Sequence, residues 1–217
     1  MRRTLILKIN PTHPSLYKLK VAAKIVLRRG VIIYPTETVY GIGGNPLDPI
    51  VVKEVFTLKR RPRKPLPVLV YNISVAEKLA YLTEDFYRLA EAFWPGSLSL
   101  VVWKRPIVPP ELTAYTDTIA LRESGHPIVK GILKFCGGAI IGTSANVSGE
   151  KPPKTFTEAI KPFYGRVNVA IDSGPSEHGI PSTILDLTKD PPVILREGPV
   201  SKHDIERVLN KRVIVKR

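Results

Sequence analysis

The stretch Gly30 to Gly44, GVIIYPTETVYGIGG, constrains the fold of this chain more than any other. Val31-Ile32-Ile33 is a short apolar β-branched run and reads as a buried strand. Pro35 removes a backbone donor and ends regular pairing. Thr36, Glu37, Thr38 and Tyr40 then crowd hydroxyls and one carboxylate into the strand's exit. Gly41, Gly43 and Gly44 mark backbone that turns sharply or lets something approach closely. Open α/β sheets place ligands where a strand runs into such a polar, glycine-lined turn. An ordinary strand-to-loop junction carries the same residues, so this stretch alone decides nothing.

Around it, apolar runs and helical spacings alternate. A first strand is expected at 5–9. Leu16, Leu19, Ala22, Ala23, Val26 and Leu27 recur at helical spacing, with Ser15 as N-cap and Gly30 as stop. Asp48-Pro49 reads as N-cap plus proline at the first helical position, opening a helix that ends in Lys59-Arg60-Arg61 before Pro62. Strands are expected at 67–71, 97–103, 118–122, 139–143, 167–171, 183–187 and 193–195. Helices are expected from a Ser74/Glu77 capping box to about Leu82, and over 84–93, 126–136, 157–163 and 201–210. No repeat or long linker divides the chain, so residues 1–217 read as one α/β domain around a twisted, partly parallel sheet.

Charge narrows the partners. With 33 Lys+Arg against 19 Asp+Glu the formal net charge is +14, which suits nucleotides, RNA or acidic surfaces. Cys136, the single cysteine, excludes an internal disulfide and a cysteine-based zinc site. No run reaches membrane-spanning length and the N-terminus lacks a signal-peptide core, so a soluble, cytoplasmic protein is the expectation.

Polar or charged groups stand at the exits of several apolar elements: Thr36/Thr38, Lys59 to Arg63, Arg122, Thr143 to Asn146, Ser182-Thr183 and Arg196. Six such groups in one basic chain point to a site assembled from several loops. The run Lys59 to Lys64 gains from a helix C-terminus as a plain solvated face, or it clamps phosphate. Ser144 to Gly149 is a simple turn or a set of neutral donors for an anion. There is no Walker loop, no G-x-G-x-x-G, no metal-ligand spacing among the four histidines, and no G-x-S-x-G elbow. Chemistry here would rest on positioning and cations rather than on a covalent intermediate.

YPTETVYGIGG (34–44), KRRP (59–62), WPGSLSLVV (94–102), IALR (119–122), TSANVSG (143–149), PSTILD (181–186) and LREG (195–198) resemble, in this order, the YrdC family. The match runs from about residue 15 to 200. It implies a single α/β domain with a twisted mixed sheet, flanked by helices, around a large basic cavity. It also implies L-threonylcarbamoyladenylate synthase activity: L-threonine, bicarbonate or CO2, and ATP condensed to threonylcarbamoyl-AMP and pyrophosphate. The product serves threonylcarbamoyladenosine modification of tRNA, and contact with tRNA or a modification complex is a further implied partnership. By the resemblance Thr36, Arg122 and Ser182 bind threonine, while Lys59, Arg61, Thr118, Ser144, Asn146 and Arg196 face ATP. Leu69 stands where many members have a histidine near threonine, and Ser99 where a threonine is usual.

An N-carboxylated threonine attacking an α-phosphate brings two anions together, so cations must neutralise both. Lys59, Arg61, Arg196 and a phosphate-bound Mg2+ are the expected set, with Lys59 and Arg61 catalytic. Both are expected to face one ligand from a solvent-exposed run, the helix unwinding near Pro62 and Arg60 pointing away. Two other readings stand beside this one. A carbamoyl-adenylate-forming module of hydrogenase maturation would need cysteine-rich partner domains. An RNA-binding factor without turnover would interleave basic and aromatic residues, and aromatics here are 7%.

Overall fold

The computed structural model describes residues 3–61 and 64–216. Pro62 and Arg63 of the basic run, and Arg2, lie outside the described residues. The chain begins with β1 (Leu5–Lys8), α1 (Leu16–Leu27), β2 (Ile32–Tyr34), β3 (Gly41–Gly43) and α2 (Pro49–Lys59). Next come β4 (Val68–Val70), α3 (Ile73–Leu79), β5 (Ala80–Tyr81), α4 (Glu84–Phe93), β6 (Leu98–Lys104) and β7 (Thr118–Glu123). Then follow α5 (Pro127–Phe135), β8 (Ala139–Ile141), β9 (Thr143–Ser144), α6 (Phe156–Ile160) and β10 (Val169–Asp172). The chain closes with β11 (Thr183–Asp186), β12 (Val193–Arg196), α7 (Lys202–Leu209) and β13 (Ile214–Val215).

The architecture is mixed α/β, but the strands form two sheets rather than one. A five-stranded sheet has the order β1-β10-β2-β3-β9. An eight-stranded sheet runs β13-β12-β11-β6-β7-β4-β8, with β5 added on β6. Both mix parallel and antiparallel pairs. The chain changes sheets at Gly142: β8 pairs with β4, whereas β9, one residue later, pairs with β3. Gly142 donates its N–H to the Pro67 carbonyl at 2.7 Å, and a Cβ there would lie 2.7 Å from Leu69 Cγ. Gly43 is the tighter point, since its Cβ would stand 2.0 Å from the Ile141 carbonyl oxygen. The glycines after Tyr40 therefore serve close approach, with Gly41 to Gly43 in a strand; the turn itself is made by residues 35–40.

Alternation in β2 separates two apolar cores. Ile33 joins Ile42, Val55, Val68, Leu100, Leu121 and Leu185 in the larger one. Ile32 and Tyr34 face the other way, into a cluster with Leu19, Val26, Ile128, Ile132 and Ile171 beneath α1 and α5. A strand buried on both faces is the normal state of a parallel-sheet interior.

Helix ends follow local chemistry. The Asp48 side chain accepts from the Ile50 N–H with Pro49 in the first turn, and α2 ends at Arg60 in the left-handed conformation, φ 47°. Thr155 and Glu158 form a reciprocal capping box on α6. The expected Ser74/Glu77 box does not form. Asn72 caps α3 instead by accepting from the Val75 N–H, and the helix stops at Leu79 because Ala80-Tyr81 pair with β6. Ser15 occupies the N-cap position of α1 without a side-chain cap bond, and α1 ends at Leu27 before reaching Gly30.

Candidate active site

A cavity of about 490 Å3 opens between the two sheets. Its floor is one face of the larger sheet, where period-two spacing brings up Ser182, Ile184 and Asp186, then Ser99 and Val101, then Thr118, Ala120 and Arg122. Its other wall is the 36–41 loop of the smaller sheet with Thr143 and Ser144. Arg61, Lys64 and Lys216 add cations at the sides.

Arg122 is held from three directions. Nε donates to the Gly96 carbonyl at 2.9 Å and Nη1 to Thr38 Oγ1 at 3.0 Å. Nη2 lies 2.7 Å from Glu37 Oε1, an ion pair too poorly aligned to satisfy that nitrogen as a hydrogen bond. Glu37 is itself buried and accepts from Ser124 Oγ at 2.5 Å and from the Gly125 N–H at 3.4 Å. Burial alone would raise its pKa, but the Arg122 guanidinium and the Ser124 hydroxyl outweigh it and hold the carboxyl below the usual range. Thr36 is buried too, its hydroxyl donating to the Val39 carbonyl and accepting from the Thr38 and Val39 N–H groups. Thr38 Oγ1 lies 2.8 Å from it as well, so the Thr36 hydroxyl is engaged within the loop and fixes the 36–39 turn against the cavity.

Ser182 links the two ends of the cavity. Its hydroxyl lies 2.9 Å from Ser99 Oγ and accepts from Arg196 Nη2 at 3.1 Å, while Arg196 Nε donates to the Ser182 carbonyl at 2.9 Å. Loss of solvent in the cavity wall, with repulsion from Arg122 and Arg61, brings Arg196 down to about 10. Arg61 is lowered by burial as well, with Nε and Nη2 donating to the Lys64 and Pro65 carbonyls. These cations repel one another and an anion among them would relieve that cost.

Thr36, Arg61, Thr118, Arg122, Ser144, Ser182 and Arg196 thus meet in one space, and Lys59 and Asn146 do not line it. The expectation of a solvent-facing Lys59 is overturned: it is 1% exposed. Its Nζ donates to the Ser144 carbonyl at 2.5 Å and the Asn146 carbonyl at 2.8 Å, and its own carbonyl accepts from the Ser148 N–H. Lys59 therefore clamps the 144–148 loop from behind. Burial, with Arg61 nearby, lowers it to about 7. Asn146 turns its Nδ2 to the Val147 and Glu150 carbonyls and lines a separate groove with Glu150, Lys151 and Lys161. Arg60 is exposed, as expected.

Glu37, Asp186 and Lys216 are site residues that the sequence did not single out. Glu37 stood in view inside PTETVYG, and Asp186 closes PSTILD. Lys216 carried no signal, because it reaches the cavity only through the two-residue strand β13. Among the described residues no group of three or more His, Cys, Asp or Glu side chains could hold a metal ion, and no helix is long and apolar enough to cross a membrane.

Comparison with known proteins agrees with this fold. The Sua5/yciO/yrdC family model, described as "Telomere recombination", matches residues 24–198. The threonylcarbamoyl-AMP synthase of Pyrococcus abyssi is 37% identical over 197 residues, 90% of this chain and 58% of that protein. A putative threonylcarbamoyl-AMP synthase of Mycobacterium tuberculosis is 40% identical over 82% of this chain and 83% of its own. The crystal structure of P. abyssi Sua5 complexed with L-threonine superposes with a TM-score of 0.94 at 36% identity, covering 97% of this chain and 62% of that one. The chain therefore spans little more than half the length of its Pyrococcus relative. With the motifs, the two-sheet cavity and the family model in agreement over most of its length, this chain belongs to the Sua5/YciO/YrdC family.

Proposed function

We propose that this protein condenses L-threonine, bicarbonate-derived CO2 and ATP into threonylcarbamoyl-AMP and pyrophosphate, for threonylcarbamoyladenosine modification of tRNA. One observation carries the reading. A single cavity holds a guanidinium suited to a carboxylate, Arg122, and a separate cationic end suited to phosphate, Arg196 with Arg61. The threonine-bound relative and the names of the other relatives support the same assignment.

In this scheme Arg122 pairs the threonine carboxylate, and Thr36 and Ser182 orient the rest of the amino acid. The amine adds CO2 and loses a proton, giving an N-carboxylate. That carboxylate attacks the α-phosphate, and the bond to pyrophosphate breaks. Arg61, Arg196, Lys64 and Lys216 neutralise the triphosphate and lower the repulsion between the two anions. Lys59 acts one layer back, fixing the Ser144 loop against the cavity. The described residues do not fit a protein-built Mg2+ cage. Mg2+ belongs with the nucleotide's phosphates as part of the substrate.

The test is pyrophosphate release with each of ATP, Mg2+, bicarbonate and L-threonine omitted in turn. Release that needs all four is the expected result. Turnover that persists without threonine identifies a nucleotide hydrolase or a different carbamoyl transfer, and the proposal falls.

A further inference from the structure

Among the described residues lining the cavity, Asp186 is the lone carboxylate, set against Arg61, Lys64, Arg122, Arg196 and Lys216. It is 8% exposed. Its Oδ1 accepts from the Thr188 N–H at 2.9 Å and Thr188 Oγ1 at 2.6 Å; among the described residues Oδ2 accepts nothing and the carboxylate forms no ion pair. A buried carboxylate weakens a cavity meant for phosphate alone, so its place calls for a ligand with neutral donors as well.

Register says where those donors would be. Arg196 pairs with Ile184, and Asp186 lies two residues further along the same face of β11, roughly 7 Å on. Beside Asp186 the floor is apolar, with Val101 opposite it and Ala120 opposite Val101. Within one pleat the wall passes from guanidinium to carboxylate to flat apolar surface. A nucleotide has the same order: phosphate, then sugar hydroxyls, then an apolar ring.

We infer that Asp186 accepts hydrogen bonds from the ribose hydroxyls of the bound nucleotide and makes the site selective for ribonucleotides. The inference rests on the proposed use of ATP and names a specificity residue within it. A carboxylate accepting from a hydroxyl makes a charge-assisted bond, so losing the hydroxyl should cost tenfold or more.

The experiment compares kcat/KM for ATP, 2′-deoxy-ATP and 3′-deoxy-ATP in wild type and Asp186→Asn, a change that keeps shape and one acceptor. Wild type should prefer ATP over at least one deoxy analogue by tenfold or more, and Asp186→Asn should bring that preference within about threefold. Equal use of all three by wild type overturns the inference. So does an unchanged preference in the variant, or an equal loss with all three accompanied by a lower melting temperature, which would make Asp186 a structural partner of Thr188. Rescue of the variant by raised Mg2+ would assign the carboxylate to a metal instead. Should wild type release no pyrophosphate from ATP, the proposed function fails separately. Calorimetric titration of ATP against its deoxy analogues into both proteins then decides the ribose contact by itself.

Discussion

At the scale of single residues, two buried charges define how the site is held. Arg122 reaches the cavity only because Glu37, Thr38 and the Gly96 carbonyl fix its guanidinium. Removing one partner of a buried pair costs about 3–5 kcal/mol, since the other charge stays behind unpaired. Glu37→Gln should therefore destabilise the fold by about 3 kcal/mol and, under the proposed reaction, raise the threonine KM at least about fivefold with little change for ATP. Chemical denaturation and substrate titration check the two parts. Because the Glu37 carboxyl titrates below its unfolded value, its contribution is whole above about pH 4.5 and fades as pH falls through the folded value. Wild type should lose stability over that acid range, and the Gln variant should lack that component. Lys59 gives the same sign of pH slope for a different reason: its lowered pKa is a cost of burial at neutral pH that disappears as pH rises, where that of Glu37 is a gain. Its folded pKa of about 7 lies below the unfolded 10.5, so between these values the unfolded chain binds a proton that the native chain does not. Wild-type urea midpoints should rise from pH 7 to about 9, above which the buried Cys136 thiol, pushed up to about 12, works against the rise; Lys59→Met should flatten the rise while freeing the 144–148 loop. A flat wild-type profile would mean that the two carbonyls keep Lys59 charged.

At the scale of elements, the helices were legible and several short strands were not. Periodic apolar positions exposed α1, α2, α5 and α7, and Asp48-Pro49 marked its helix start because N-cap geometry and proline's fixed φ both act locally. β3, β5, β9 and β13 are two or three residues long, too short for any period to register. Their existence depends on partners far along the chain. Ser74 and Glu77 satisfied a local capping pattern, yet the helix starts earlier, at Ile73, so Asn72 takes the N-cap role and Ser74 lies within the first turn; independently, β5 pairing ends the helix at Leu79. The burial of Lys59 was hidden for a similar reason. Its compensation comes from carbonyls 85 and 87 residues away, whereas its residue type argues for solvent. The sheet crossing at Gly142 makes Gly43 the position where elements are most tightly bound to one another. Gly43→Ala would force a Cβ to 2.0 Å from backbone oxygen, which no rotamer can avoid. The variant should lose about 3 kcal/mol of stability or fail to accumulate as folded protein, measured by thermal melting. Wild-type melting would show that β3 can shift away from β8.

At the scale of the whole molecule, the site is a gap between two sheets that meet through few strands. The resemblance anticipated a large basic cavity, but one sheet was expected where two enclose it, because nothing in a run such as Ala139 to Thr143 tells a chain to change partners at its middle. This arrangement gives the ligand a structural role. A nucleotide and an amino acid lying there would touch the 36–41 loop and Ser144 from the smaller sheet, and Arg122, Ser182 and Arg196 from the larger. Ligand that binds only the native state stabilises it by about 2.7 kcal/mol at a hundredfold excess over Kd. Because its contacts cross the gap, that stabilisation should appear in both sheets together. Amide hydrogen exchange with a non-hydrolysable ATP analogue and L-threonine should slow β3 and β9 as well as β11 and β12, with a single raised melting transition. Protection confined to one sheet would place the ligand outside the cavity. An unchanged melting temperature across a wide range of ligand concentration would mean that neither substrate binds the native state in preference to the unfolded one, and the cavity would lose its claim to both.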